Sequence, residues 1–490
     1  MSEVKVNKIS PRSGTAVTLG DSGDKFTVPS GSNITINSGA SITNDGTATG
    51  FDTDTNDKVK VSTNDTTPGF LNGKLVAGTN ITLTEGSDGG DETLTAALSG
   101  TIPTARLGTG TANSTTFLRG DQTYASATPA DGSITTAQLA YNPNPFRNIL
   151  INGDMSINQR GTVSGISTNT YTLDRWITEG DDATLTISQD TSVPSAQGFA
   201  TSLKIAVTTA NASVAASDAQ MIGQRIEGQL LQQLLYGTSS AKSFTLSFWV
   251  KSNITGTYAM QFQNDDNNKV QTTTYSISSA DTWEKKTITI SGDTASGFDN
   301  DPNRSFRVLW WLAAGSDYTS NSASSGAWIA RSSNINSIAY GHAVNVTSST
   351  SNTFYLTGCQ LEVGTTASEF EFLPFDVNLL RCQIYFYMHA QGAGDERGIG
   401  CYYNSSQIAL DFQFPVTMRT APSVYQTTGT DYFATYRPGV VDGFNSLTAG
   451  SATTTMFGLY NNTEVSGTAQ DAQFFRTANG SAKLGADAEL

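Results

Sequence analysis

Cysteine and histidine are scarce in this chain of 490 residues, with three of the first and two of the second. Cys359, Cys382 and Cys401 are odd in number and widely spaced, which is neither a disulfide framework nor a zinc pattern. They read as reduced, mostly buried thiols, with one bridged pair left open. A Ser-His-Asp or Cys-His site has only His342 and His389 to draw on, and neither sits in a nucleophile motif. A Walker A loop and a dinucleotide-binding glycine fingerprint are both missing. Glycine-rich stretches such as LGTG at 107–110 carry no lysine to reach a phosphate and read as turns. Neither an enzyme nor a bound cofactor is therefore expected.

Charge is also thin. Charged residues make up 14% of the chain, against about 25% in ordinary soluble domains. The net charge of −15 is spread evenly, at −5 over 1–145, −6 over 146–375 and −4 over 376–490. No segment offers the basic face that a nucleic-acid binder needs. The longest apolar run, near 308–314, falls far short of the roughly 20 residues of a membrane-spanning helix. The first residues, MSEVKVNKISPRSG, lack the apolar core of a secretory signal.

Aromatics are missing from the first third. Residues 1–145 hold 6 of them and the other 345 residues hold 40. So little large apolar material does not readily offset the entropy of ordering a backbone. Yet short alternating segments recur at Val17–Leu19, Phe26–Val28, Asn33–Ile36 and Asn80–Leu83, each closed by turn residues. Isolated strands of that length are unstable, but copies from several chains can share their apolar faces around a common axis. The expectation is an obligate oligomer, with an elongated three-fold shaft as the simplest closed solution. Residues 99–145, punctuated by Pro103, Pro129, Pro143 and Pro145, read as a connector with a boundary near Asn144.

From Phe146 the composition changes, and all six tryptophans fall before residue 329. Phe244, Leu246, Phe248 and Val250 alternate with Thr245, Ser247 and Lys251, and Trp249 breaks the polar face. Phe306, Val308, Trp310 and Leu312 repeat the pattern, and Trp283–Ser291 and Phe354–Val363 add strands. Such runs between polar turns predict two packed antiparallel sheets. A short helix is expected at Gln229–Tyr236, ended by Gly237. In a strand, Trp310 and Trp311 face opposite ways, so one ring is expected in the core. The other is expected outside, as a sugar platform or, the favoured reading, at a subunit contact.

Several ordered motifs carry a resemblance. FRNILINGDMSINQRG at 146–161 and YTLDRW at 171–176 resemble the start of a jelly-roll domain of bacteriophage tail fibres. IGQRIEG at 222–228, SFTLSFWVKS at 243–252, WEKKTITI at 283–290 and YLTGCQLEVG at 355–364 follow in the same order. LGTGTANSTTFLRGDQTY at 107–124 is similar to fibre linkers, and LLRCQIYFY at 379–387, FPVTMRTAPSV at 414–424 and the closing ADAEL resemble distal regions of such fibres. The N-terminal VNKISPRSGTAVTLGDSG is similar to fibre proteins of marine phages.

The resemblance implies an all-β, elongated homotrimeric fibre. Its parts are a virion-attachment and shaft region at 1–98, the connector at 99–145, a jelly-roll sandwich at 146–375 and a smaller C-terminal β tip domain at 376–490. It implies a structural virion protein, assembled in the host cytoplasm, that acts as an adhesin for the host cell surface. The implied partners are other tail or virion proteins through the N-terminus and a host glycan or outer-membrane protein. A non-adhesive virion fibre is the alternative, and a polysaccharide-cleaving tailspike is a further one, which would need two suitably placed carboxylates. The closing segment at 479–490 is short and polar rather than a long helix, so no cleaved chaperone is expected.

Three groups of residues stand out as candidate sites. Asn152-Gly153 signals a turn. Arg160, Asp174, Arg175 and Trp176 read as a structural latch on the first strand, with Asp174 or Asp181 pairing Arg160 or Arg175, or else as a polar ligand clamp. The acidic groups at 265–268 and 299–303 hold calcium-type oxygens but lack an EF-hand register, so solvated turns are expected and no metal. Tyr425, Tyr432, Phe433, Tyr436 and Phe444 lie among small polar residues, a composition typical of adaptable contact surfaces. They are the candidate receptor contacts, unless they form the core of the tip.

Overall fold

The computed structural model describes residues 27–33, 35, 59, 61–67, 69–87, 92–99, 107, 109, 116–118, 122–126, 146–319, 326–333 and 335–490. The chain divides into two compact units, Met1–Thr128 and Pro129–Leu490.

In the first unit, Ile81–Gly86 pairs antiparallel with Thr93–Leu98, from Ile81 opposite Leu98 to Gly86 opposite Thr93. A single helical turn, Leu71–Lys74, precedes it, and Lys74 Nζ lies 2.6 Å from Asp65 Oδ2. Thr116–Leu118 pairs with Tyr124–Ser126. No described residue between 27 and 99 is buried. Val76 is 90% exposed, Val61 73% and Leu98 71%. Apolar side chains left in water at this level are not a core. Of the expected short strands, Asn80–Leu83 falls on the Ile81–Gly86 strand, whereas Val17–Leu19, Phe26, Ile34 and Ile36 lie outside the described residues. So do the four connector prolines and Asn144.

The second unit is all-β. Its first part is a jelly-roll sandwich of two antiparallel sheets. One has seven strands in the order Ile329–Ala330, Lys269–Ile277, Gly256–Asn264, Arg304–Ala314, Ala219–Glu227, Ile177–Gly180 and Thr170–Tyr171. The other has six, in the order Glu284–Ile290, Phe244–Ser252, Thr353–Val363, Ser202–Thr209, Thr184–Asp190 and Val163–Ile166. Period-two alternation sends Phe244, Leu246, Phe248 and Val250 inward against Phe306, Val308, Trp310 and Leu312, all completely buried. Edge-to-face rings lock the layers, with Phe248 and Trp310 centroids 5.5 Å apart and Phe244 and Phe306 5.8 Å apart.

Two expectations are corrected within the sandwich. Gln229–Tyr236 is not an α-helix but two 3₁₀ turns, Gly228–Leu230 and Gln232–Leu234, closed by Leu235 at φ 54°. Burying Leu231 and Leu234, three apart, suits three residues per turn, and Leu230 and Leu235 stay exposed. Trp311 does point away from Trp310, but no ring reaches solvent. Trp311 is fully buried in a second cluster with Leu309, Ile338 and Ala339. The chain's own residues 315–319 and 335–340 pack on that face of the seven-stranded sheet, and Tyr318 lies 5.4 Å from the indole. The indole N–H is satisfied by Gln261 Oε1 at 3.1 Å.

The helix Phe375–Gln383 leads to the second part. It has a three-stranded sheet, Phe386–Gln391, Lys483–Asp487 and Ser423–Gln426, and a seven-stranded one. The latter runs Val440–Phe444, Phe433–Arg437, Ala472–Thr477, Glu396–Asn404, Gln407–Gln413, Met456–Asn461 and Thr448–Ala452. The segment between Pro415 and Pro422 forms no strand. It is an irregular bridge pinned by Met418 N–H to Thr454 O at 2.7 Å and by Arg419 N–H to Ile384 O at 2.8 Å.

Candidate functional site

Residues 315–319 and 335–340 pack on the outer face of the seven-stranded sheet, and the six-stranded sheet presents the other outer face of the sandwich. Its outward positions carry Ser247, Trp249 and Lys251 on the Phe244–Ser252 strand. Trp249 stands opposite Lys285 on one neighbour and Thr357 on the other. Lys251 stands opposite Tyr355, which stands opposite Lys204. A transverse row of Lys, Tyr and Lys therefore crosses three strands beside the Trp249 row.

One end of this face deepens into a cleft of about 240 Å³ lined by Gln197, Phe199, Ser247, Trp249, Lys285, Gly358, Glu369, Phe370 and Phe372. The returning segment 364–373 builds one wall. Ser368 Oγ donates to Glu362 Oε2 at 2.6 Å, and Glu371 N–H donates to Gln360 Oε1 at 2.8 Å. Phe199, Phe370 and Phe372 form a triangle with centroids 4.9–5.1 Å apart. Phe199 is 8% exposed and Phe372 50%.

Gly358 makes the floor possible. The Phe244–Ser252 and Thr353–Val363 strands slip register between Ser247 and Trp249, and Gly358 takes φ +62° there. A Cβ on it would lie 2.6 Å from Phe199 and 3.0 Å from Trp249.

Beyond the cleft, Lys251 Nζ donates to Ser192 Oγ at 2.7 Å and sits 4.0 Å from the Tyr355 centroid and 5.5 Å from that of Trp283. Burial pulls the Lys251 ammonium below its ordinary range, against the pull of Asp190 and Asp281. Lys204 is paired with Asp190 at 3.4 Å. Half-buried rings, hydroxyls and ammonium groups on one rigid sheet can stack against an apolar ligand face while bonding to its polar rim.

The candidate tip residues divide. Phe433 and Phe444 are fully buried beside Phe475, with centroids 5.9 Å apart for Phe433–Phe444 and Phe433–Phe475. A contact-surface role does not extend to these two rings, because alternation on their strands turns them inward. Tyr425 and Tyr432 are half-buried, and Tyr425 packs edge-on against Phe386 at 5.0 Å. Tyr436 faces outward. Opposite it stand Val441 and Phe474, and opposite Phe474 stands Ile399. Val441, Phe474 and Ile399 are 58%, 59% and 67% exposed, and Arg476 lies 3.7 Å above the Tyr436 ring. Sequence reading singled out only Tyr436 from this row.

Arg160, Asp174, Arg175 and Trp176 are all buried. The arginines do not pair with Asp174 or Asp181. Arg160 reaches Asp487 at 3.2 Å and Glu489 at 3.5 Å, and Arg175 is ion-paired with Glu489. Asp174 instead accepts from Gln159 N–H at 2.7 Å and Gln159 Nε2 at 2.5 Å. Trp176 donates to Asn152 O at 3.0 Å. Burial opposes the Arg160 charge, but Glu489, Asp487 and Asp174 outweigh it and push the guanidinium pKa up. These groups tie the sandwich to residues 487–489 and present no open face to a ligand.

The acidic groups brace turns. Asp265 pairs with Arg304 at 2.9 Å and Arg307 at 2.8 Å, and Asp266 accepts from Asp299 N–H at 2.9 Å. Among the described residues no group of three or more His, Cys, Asp or Glu stands together as metal ligands. All three cysteines are free, with Cys359 and Cys382 buried and Cys401 exposed. No described helix is long and apolar enough to cross a membrane.

No family model matches the chain, and no curated protein matches it. Among solved structures it is similar to the enzymatically active domain of tailspike protein 4 of bacteriophage CBA120, at 13% identity and a TM-score of 0.24. That similarity covers 45% of this chain and 22% of that one. A putative sugar-binding protein from Bacteroides thetaiotaomicron is 14% identical over 44% of this chain and 99% of that one, with a TM-score of 0.25. The N-terminal cellulose-binding domain of a Cellulomonas fimi β-1,4-glucanase is 13% identical over 39% and 90%, with a TM-score of 0.20.

Proposed function

We propose that this chain is a non-enzymatic adhesin subunit of a viral fibre, and that the outer face of its six-stranded sheet holds a host-surface glycan. The observation that carries the reading is the cleft of about 240 Å³ with Trp249 on its floor and Phe199, Phe370 and Phe372 around it. Aromatic faces set among hydroxyl, amide and ammonium groups are what a sugar ring asks for, since its C–H groups stack and its hydroxyls bond. The rigid strands hold that surface in place without ligand, which keeps the ordering cost of binding small.

The fibre part of the reading rests on two supports. One is the run of ordered segments from 146 to 364 that resembles tail-fibre jelly rolls. The other is the first unit, whose described residues between 27 and 99 bury no side chain while leaving Val61, Val76 and Leu98 in water. Sister copies supply the missing apolar partners, and three copies bring three glycan sites to one surface, which multiplies weak affinities.

The test is binding of the full chain to a broad panel of immobilised bacterial surface polysaccharides, with the supernatant assayed for released reducing ends. The reading predicts retention on at least one polysaccharide, loss of retention with Trp249→Ala, and no release of reducing ends. Retention unaffected by Trp249→Ala overturns the site, and release of reducing ends overturns the non-enzymatic assignment.

A further inference from the structure

Lysine is unevenly placed on the sandwich. Residues 146–375 contain six lysines, and three of them, Lys204, Lys251 and Lys285, stand on the outer face of the six-stranded sheet. This concentration occurs on a chain of net charge −15.

The three ammonium groups are differently committed. Lys204 is held by Asp190 at 3.4 Å. Lys251 donates to the neutral Ser192 hydroxyl at 2.7 Å and rests on the Tyr355 ring. Lys285 is exposed at the rim of the Trp249 cleft. Two of the three thus carry charge that no carboxylate among the described residues neutralises through an ion pair. The carboxylates nearby are Asp190, Asp281 and Glu369. Asp190 is engaged by Lys204 and by Ser192 N–H at 2.8 Å. Asp281 is exposed beyond Lys251, and Glu369 lines the wall formed by the returning segment.

Resting on the glycan-binding reading above, we propose that the ligand is an acidic glycan, one bearing uronic-acid carboxylates. The sugar ring stacks on Trp249, its carboxylate meets Lys285 and Lys251, and its hydroxyls donate to Glu369. Charge-assisted hydrogen bonds of this kind are about twice as strong as neutral ones. The same lysines on a neutral ligand lose that gain and still have to be desolvated.

The experiment is titration calorimetry of the full chain with oligosaccharides of galacturonate, mannuronate and glucuronate, each beside its carboxyl-reduced neutral counterpart. The inference predicts that at least one acidic oligosaccharide binds about tenfold or more tighter than its reduced form, the size expected for one charge-assisted contact. The preference falls as salt rises, and Lys285→Gln brings the affinity for the acidic oligosaccharide down to that of its reduced form measured on the same variant. Lys285 is exposed, so the variant folds; an unchanged near-ultraviolet circular dichroism spectrum confirms it. Equal binding of acidic and reduced forms, or an acid preference that survives both Lys285→Gln and Lys251→Gln, overturns the acidic assignment and leaves glycan binding intact. Binding of neither form here also overturns it, while the broader polysaccharide panel decides the glycan reading separately.

Discussion

Arg175 and Glu489 form an ion pair across 314 positions of sequence, and each side chain is only 2% exposed. Glu489 also faces Arg160, and Arg175 lies 3.6 Å above the Tyr385 ring. Glu489 thus serves two buried guanidinium groups where the sandwich meets the C-terminal sheets, sharing Arg160 with Asp487. Glu489→Ala leaves both arginines without that partner, and breaking a buried pair this way costs about 3–5 kcal/mol. Urea denaturation followed by tryptophan fluorescence checks this, with a drop in midpoint at unchanged slope as the expected result.

His342 gives the sandwich a pH dependence. Its Nδ1 accepts Ala259 N–H at 3.2 Å, and burial pulls its pKa down to about 4 from 6.5. The unfolded chain therefore binds the proton more readily than the fold does. The stabilising contribution is complete above about pH 6.5 and is lost as pH falls toward 4, amounting to about 3 kcal/mol at 1.36 kcal/mol per pKa unit. Unfolding free energies between pH 7 and 4 test this. The slope in that window is expected to flatten in His342→Gln, which carries no titrating imidazole.

Gly358→Ala strikes the floor of the cleft. The backbone there is left-handed, and the added methyl meets Phe199 at 2.6 Å. Overpacking of this kind costs roughly 1–3 kcal/mol, and the displaced Phe199 narrows the cleft. A lower melting temperature together with weaker polysaccharide retention is expected. Gly364→Ala, also at positive φ but with nothing within 4 Å, is expected to lower the melting temperature without that loss of retention.

The first unit predicts association. Its described residues between 27 and 99 bury nothing, and Leu98, Val76 and Val61 stand in water. Sedimentation equilibrium of the full chain is expected to give a multiple of 51.8 kDa, with three copies the proposed number. Leu98→Asp combined with Val76→Asp is expected to lower that mass. A stable single chain of 51.8 kDa contradicts the shaft.

Much of the sandwich was legible because period-two alternation is a local signal. Phe244–Val250 and Phe306–Leu312 point as their spacing requires. The short helix at 229–236 was not, since leucines three apart suit a 3₁₀ turn and an α-helix alike. Trp311 was misplaced because its cover comes from residues 315–319 and 335–340, whose packing no local pattern announces. The cleft was not singled out, although two local signals pointed toward it. Trp249 broke the polar alternation of its strand and marked an outward ring, and Phe370 and Phe372 alternate in sequence. Phe199 carries no such mark, and it joins them only through the tertiary return of segment 364–373. The partner of Arg160 and Arg175 was hidden for the same reason, lying more than 300 residues away.

The account stands most directly on where glycan contact occurs. Affinity for the best-retained polysaccharide, measured for the full chain carrying either Trp249→Ala or Tyr436→Ala, decides between the sandwich face and the C-terminal sheet. The account predicts a loss of about tenfold or more for Trp249→Ala, as truncating a central aromatic anchor of a binding surface costs roughly 2 kcal/mol or more, and no change for Tyr436→Ala. Loss with Tyr436→Ala and full affinity with Trp249→Ala contradicts it.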